Sequence, residues 1–367
     1  MDNSHLEPTI GALGKKGEPI SLAEELALEK SLGIEEPVFD ESSLVGDSSY
    51  WQELQQLSLQ ELIAEARSFG EDDIDDSMDR PELVLRVIRQ RIRQSGLMFF
   101  EGSIEILPDE FGFLRSQENF YQSRPDDIYV SPSQIRLFSI RNGSKVSGQI
   151  RPPKANERYF ALLRVEAINN QNPNNQKTRP HFDEIPAIPP MELLRLRPGD
   201  FSAEVRDVIG SLAYGSCGLI SGPSESKNTD LVQSIIKSLQ MNDPSTLVFM
   251  LFLNKPDDVL RKRQQELQNR RCEVIGTFPG ETIGRFVHLT DFLLEKAKRM
   301  VENGKDVLLC VDSLSPFLQT QENFPEGYPS RLFHAAKKTA KGSLTILATV
   351  LDEEADLVRE NAIPIKL

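Results

Sequence analysis

The five residues Phe111-Gly112-Phe113-Leu114-Arg115 restrict the fold more than any other stretch of the chain. Residues two apart on a β-strand project from the same face, so Phe111 and Phe113 share a side while Gly112 keeps the other side small. The alternating run Ile104-Glu105-Ile106-Leu107 precedes them, followed by a turn at Pro108-Asp109-Glu110. Behind them come Arg115 and, after a polar loop, Arg124-Pro125-Asp126-Asp127-Ile128-Tyr129-Val130. On this pattern two readings stay open. The phenylalanines form the core of a small barrel, or they form a platform on which single-stranded bases stack beside guanidinium and carboxylate groups. Short strands separated by turn residues such as Asn142-Gly143 and Pro152-Pro153 continue from about Leu97 to Asn169, and five of them would close a small barrel.

The rest of the chain sorts by periodicity. Residues 1–48 are acidic, with eleven Asp and Glu against Lys15, Lys16 and Lys30 up to residue 47, and read as a disordered tail with a short helix from Ser21 to about Leu32. From residue 49 to 96, Leu54, Leu57, Leu59, Leu62, Ile63 and Ala66 make one helical stripe, and Leu83, Val84, Val87, Ile88 and Ile92 make a second. The second helix also carries Arg86, Arg89, Arg91 and Arg93. The run Asn169 to Gln176 has no apolar anchor, which places a boundary near Asn170 and a linker over 170–200. Residues 201–367 alternate buried-strand patterns (Gly218 to Ile220, Leu247 to Leu253, Val307 to Val311, Leu344 to Leu351) with amphipathic helices (Asp230 to Leu239, Thr290 to Asn303), the signature of a parallel sheet covered by helices. Cys217, Cys272 and Cys310 lack C-x-x-C spacing and read as buried apolar residues rather than as a zinc or disulfide set. No apolar run is long enough to span a membrane and no signal peptide opens the chain, so a cytoplasmic location without membrane contact is expected. A net charge of −14 argues against a strong phosphate-binding field and for stacking and edge contacts.

Asp126 to Arg136, Gly148 to Lys154 and Glu157 to Leu163 closely resemble the RNA-binding domain of the bacterial transcription termination factor Rho. The helical segment 49–96 resembles the small subdomain that precedes the barrel in that family. The resemblance implies a cold-shock-like OB-fold over 97–169 that binds pyrimidine-rich single-stranded RNA. Carried across residue by residue, it assigns base contacts to Leu107, Phe111, Phe113, Arg115, Asp127, Glu157 and Tyr159. The second half resembles the RecA-like motor domain of Rho at Glu295 to Arg299, Asp306-Val307, Asp312-Ser313 and Gly342 to Thr349.

A motor of that kind needs a P-loop, G-x-x-x-x-G-K-[ST], after the first strand. Here Gly222-Pro223-Ser224-Glu225-Ser226-Lys227-Asn228-Thr229 puts Lys227 in place of the glycine and Asn228 in place of the lysine. Asn254 stands where the resemblance implies a catalytic acid, and an amide cannot accept a proton. Gln321 to Arg331 is shorter than the family's RNA-gripping pore loop, and the arginine-finger region has no counterpart before Leu367. Lys227, Thr229 and Asp312 are the residues left for a nucleotide, so no cofactor is expected, and ATP with Mg²⁺ enters only if nucleotide binding survives. The sequence thus predicts a multidomain α+β and α/β protein: a helical bundle, an OB-fold barrel and a degenerate RecA-like domain. Its expected role is RNA binding in transcription termination or its regulation, with a Rho ring or RNA polymerase as partners and without ATP hydrolysis. The alternative is a divergent but active ATP-dependent helicase.

Overall fold

The computed structural model describes residues 53–366, apart from 55, 71–73, 75–77, 154–156, 177–178, 203–204, 206–208, 270, 319–327, 329 and 359–362. The acidic tail and most of the segment from Gln321 to Arg331, where a shortened pore loop is expected, lie outside the described residues.

Helix α1 (Leu59–Ser68) begins at a capping box, in which the Ser58 hydroxyl accepts from the Glu61 amide and the Glu61 carboxylate accepts from the Ser58 amide. That cap splits the apolar stripe expected from Leu54 to Ala66. Leu62 and Ala66 face inward, whereas Leu59 falls on the first turn and is exposed. Helix α2 (Arg80–Gln94) is capped by Asp79, and its Leu83, Val84, Val87, Ile88 and Ile92 are buried. The two helices pack on each other and, through Phe99 and Ala167, on the barrel that follows.

Strands β1 (Met98–Ile106), β2 (Gly112–Arg115), β3 (Ile128–Val130), β4 (Lys145–Arg151) and β5 (Phe160–Ile168) close into a barrel in the order β1-β2-β3-β5-β4. Alternation fills the interior with Ile104, Leu114, Ile128, Val130, Val146 and Leu162. Gly112 has no room for a side chain there, because a Cβ would lie 3.0 Å from Ile104. Helix α3 (Pro132–Leu137) bridges β3 and β4, and its buried Gln134 donates to the Leu162 carbonyl at 2.9 Å.

The polar run after β5 is packed rather than exposed. The Asn169 side chain accepts from the Lys145 amide at 2.9 Å, and Gln176 donates to the Ile168 carbonyl at 3.1 Å. Side-chain amides can replace a ladder partner, and for that reason a run without apolar residues still anchors here. The expected linker 170–200 is likewise held down: Phe182 lies in the core of the following domain and Ile188 bridges to Lys338.

Among the described residues of that domain, six parallel strands run in the order β12-β6-β11-β9-β7-β8. They are β6 (Cys217–Gly222), β7 (Leu247–Phe252), β8 (Cys272–Gly276), β9 (Asp306–Asp312), β11 (Ser343–Leu351) and β12 (Ile363–Lys366), with the short antiparallel β10 (Lys337–Lys338) beside β11. Helices α4 (Glu225–Asn242), α5 (Asp257–Leu267) and α6 (Ile283–Glu302) cover it. All three cysteines are buried free thiols, and burial pushes Cys217 and Cys272 up to about 12. Among the described residues no helix is long and apolar enough to cross a membrane.

Barrel and α/β domain are packed together. Phe120 and Tyr121, in the loop after β2, belong to the α/β core. The Tyr121 hydroxyl donates to Glu273 at 2.7 Å and accepts from buried Lys296 at 2.5 Å. Arg141 donates twice to Glu302 of α6, at 3.0 and 2.5 Å.

Candidate nucleic-acid interface

The residues assigned to RNA come from the outward side of the barrel strands. With Ile104 and Leu114 inside, Glu105, Phe113 and Arg115 must point out, and the register sets Glu105 opposite Phe113 and Phe113 opposite Tyr129. The tight turn between β1 and β2, closed by the Leu107 amide on the Phe111 carbonyl at 2.8 Å, brings Leu107 and Phe111 to the same patch. Tyr159 joins from the residue before β5. Leu107, Phe111, Phe113, Tyr129 and Tyr159 form one cluster, distinct from the barrel interior.

Its geometry is that of an edge-to-face aromatic array. Phe113 meets Tyr159 at 4.8 Å between centroids and 65°, and Phe111 lies nearly parallel to Tyr129 at 5.6 Å and 27°. The Arg115 guanidinium sits 5.2 Å from the Phe113 centroid, and Arg158 sits 5.3 Å from that of Tyr159. The array is closed: Phe113 is 1% exposed, Phe111 3% and Tyr159 8%. Phe113 therefore presents no free ring face and serves as the support on which Phe111 and Tyr159 lean.

The charged residues form a chain around this cluster. Arg115, itself buried, donates to Asp127 and, at 2.7 Å, to Glu105. Burial alone would lower Arg115 and raise Glu105. The two carboxylates outweigh it on Arg115 and keep the guanidinium charged, while the His288 hydrogen bond and Arg115 bring Glu105 down to about 2. One cation cannot serve two carboxylates equally, and burial pushes Asp127 up to about 6 against the pull of Arg115 and the Arg124 amide. Glu157 stands apart from Arg115 and pairs with Arg151, at 2.5 and 2.9 Å. Of the seven assigned residues, Leu107, Phe111, Phe113 and Tyr159 share one cluster and Arg115 and Asp127 pair beside it, while Glu157 is held by a separate guanidinium, that of Arg151. Sequence reasoning passed over Tyr129, Glu105 and Arg158. The first two share strand parity with Asp127 and with Leu107, a signal that was available.

The nucleotide candidates are only partly assembled. Thr229 and Asp312 meet: the Thr229 hydroxyl donates to Asp312 at 2.6 Å, and Thr349 donates to the other carboxylate oxygen at 2.6 Å. Asp312 is fully buried, and burial raises it despite both hydrogen bonds. Lys227 does not join them, since its side chain is exposed on the first turn of α4. Asn228 is buried and donates to the Val350 carbonyl at 2.8 Å. Glu225, at the N-terminal turn of α4, pairs with Lys255 at 2.6 Å.

Comparisons with known proteins agree with this architecture. Residues 100–174, covering the barrel, match the family described as the Rho termination factor RNA-binding domain. Transcription termination factor Rho of Rhodopirellula baltica is 36% identical over 370 residues, spanning 94% of this chain and 71% of that protein. The Rho proteins of Buchnera aphidicola and Escherichia coli K12 are each 33% identical, covering 81% and 82% of this chain and 75% of their own lengths. With that identity extending through both the barrel and the parallel sheet, the chain belongs to the transcription termination factor Rho family.

Proposed function

We propose that this protein binds single-stranded, pyrimidine-rich RNA on the outer flank of its barrel and acts in transcription termination or its regulation without hydrolysing ATP. The aromatic array bordered by Arg115 and Asp127 carries the RNA half of this reading. Bases would pack against Leu107 and the outer edges of Phe111 and Tyr159, with Phe113 beneath them, while Arg115, Asp127 and Glu157 meet base edges. Such a protein acts by competing with an active Rho for transcripts, by joining its ring as an inactive subunit, or by engaging RNA polymerase.

The loss of hydrolysis is supported by how the remaining nucleotide candidates are engaged. A phosphate at the start of α4 would meet the Glu225 carboxylate, and the side chain in the lysine position is an amide bonded to Val350. Catalysis of phosphoryl transfer is almost entirely positioning and charge stabilisation, so a carboxylate at the anion site and an amide in place of the lysine both weigh against hydrolysis. The second reading, an active divergent motor, draws on one observation: the Thr229–Asp312 pair is in place.

One assay separates them. Phosphate release from ATP is followed with and without poly-cytidine RNA, and RNA binding is read in the same samples. RNA binding without hydrolysis is the expected result. RNA-stimulated release that Lys227→Ala abolishes would establish the motor instead. A Phe111→Ala/Phe113→Ala variant should lose most of its RNA affinity, since it removes the edge of Phe111 together with the ring that supports Phe111 and Tyr159, and base–aromatic packing contributes about 1–3 kcal/mol per base. Binding equal to the parent's would rule out this flank of the barrel.

A further inference from the structure

The residue that holds the far end of the Arg115 chain comes from the other domain. His288, on α6, places Nε2 2.6 Å from Glu105 Oε1, while Arg115 Nε lies 2.7 Å from Glu105 Oε2. A carboxylate only accepts from such neighbours, so Nε2 is the protonated ring nitrogen. The other nitrogen, Nδ1, faces the Arg285 guanidinium at 3.3 Å and takes the accepting role. Both oxygens of Glu105 are thereby fixed from opposite sides, one by the barrel and one by α6. Arg285, one turn earlier on the same helix, also donates to the Phe120 carbonyl at 2.9 Å, so this face of α6 grips the barrel at two points.

A histidine 46% exposed beside a glutamate would ordinarily be a surface pair of little consequence. Here the glutamate side chain is only 14% exposed, and its second partner is buried Arg115, which lies against Phe113. An unanchored Glu105 would be free to turn, which would release one of the two carboxylates that orient the Arg115 guanidinium and let it shift toward Asp127. We infer that His288 is a positioning residue for RNA binding, acting through Glu105 on Arg115, so that the placement of α6 is communicated to the RNA-facing flank of the barrel. This rests on the RNA site proposed above.

The test uses the full chain and a fluorescent oligocytidine at fixed salt. His288→Ala should weaken binding about tenfold, the lower end of what removing one charge-assisted hydrogen bond costs. His288→Gln, whose amide can still donate to Glu105, should return to within about twofold of the parent. In an Arg115→Ala background His288→Ala should cost nothing further, because the chain it acts through is gone. If Arg115→Ala does not fold, Glu105→Ala, which removes the acceptor that links His288 to Arg115, provides the same background. Parent-like affinity in His288→Ala, no rescue by glutamine, or losses that simply add would each overturn the inference. If the Phe111→Ala/Phe113→Ala variant also binds like the parent, the site itself has failed. If that variant loses binding while His288→Ala does not, only the role of His288 has.

Discussion

Asp127 and Glu105 compete for one guanidinium, and the outcome predicts a pH dependence of opposite sign for each. Glu105 is depressed to about 2 from an ordinary 4.5, so its stabilisation is complete above about 4.5 and is lost as pH falls toward 2. Asp127 is raised to about 6 from 3.8, so the folded state holds its proton more tightly, and stability falls as pH rises through the window from about 4 to about 6. Asp127→Asn removes the second effect and keeps the hydrogen-bonding shape. Thermal unfolding of parent and variant between pH 4 and pH 7 should show the parent gaining up to about 3 kcal/mol relative to the variant at the acid end. A difference independent of pH would mean that Asp127 is not raised. Much of this site was legible in the sequence. The i, i+2 spacing of Phe111 and Phe113 placed both rings on one face, whereas Tyr129, opposite Phe113, was passed over although it shares parity with Asp127. What the sequence concealed was closure: spacing fixes the side of a strand but not the distance to the next ring, and Phe113 proves to lie under Tyr159. His288 was invisible, being 183 residues from its partner with no local pattern to mark it.

At the level of elements, the apolar runs located the strands of the sheet well, because a buried parallel strand is apolar on both faces: Leu247 to Leu253 became β7 and Leu344 to Leu351 lies within β11. Strand β8 escaped notice, since Cys272-Glu273-Val274-Ile275-Gly276 is short and carries a charge. That glutamate is needed where it is, receiving Lys296 and Tyr121 at the junction between barrel and sheet. The same junction explains Asn142-Gly143, which the sequence marked only as a turn. Gly143 has φ +77°, and a Cβ there would lie 2.4 Å from the Lys296 amide of α6. Gly143→Ala therefore combines a left-handed backbone with a clash against a helix backbone that cannot give way. It should destabilise the docking of the barrel by about 2 kcal/mol or more. Calorimetry would show this as a lowered or split unfolding transition, whereas an unchanged single transition would mean that the barrel–α6 contact is looser than described.

On the scale of the whole molecule, charge decides how RNA can be held. The chain carries 56 acidic against 42 basic residues, and many of its arginines are committed to carboxylates inside the protein, as Arg91, Arg115, Arg141 and Arg151 are. A guanidinium engaged in this way releases no counterion when RNA arrives. Affinity then has to come from ring stacking and base-edge contacts, which salt hardly screens, rather than from phosphate neutralisation. For single strands the logarithm of the binding constant falls with the logarithm of salt by about 0.7 per phosphate contact, so two or three contacts predict a slope near −2 between about 50 and 200 mM salt. Phe111→Ala/Phe113→Ala should lower affinity at every salt concentration and leave that slope unchanged, because it removes stacking and no charge. A parent slope steeper than about −5 would require a continuous basic track along the RNA. The barrel flank would then be only a small part of the interface, and the arginines of α2 would become the place to look for the rest.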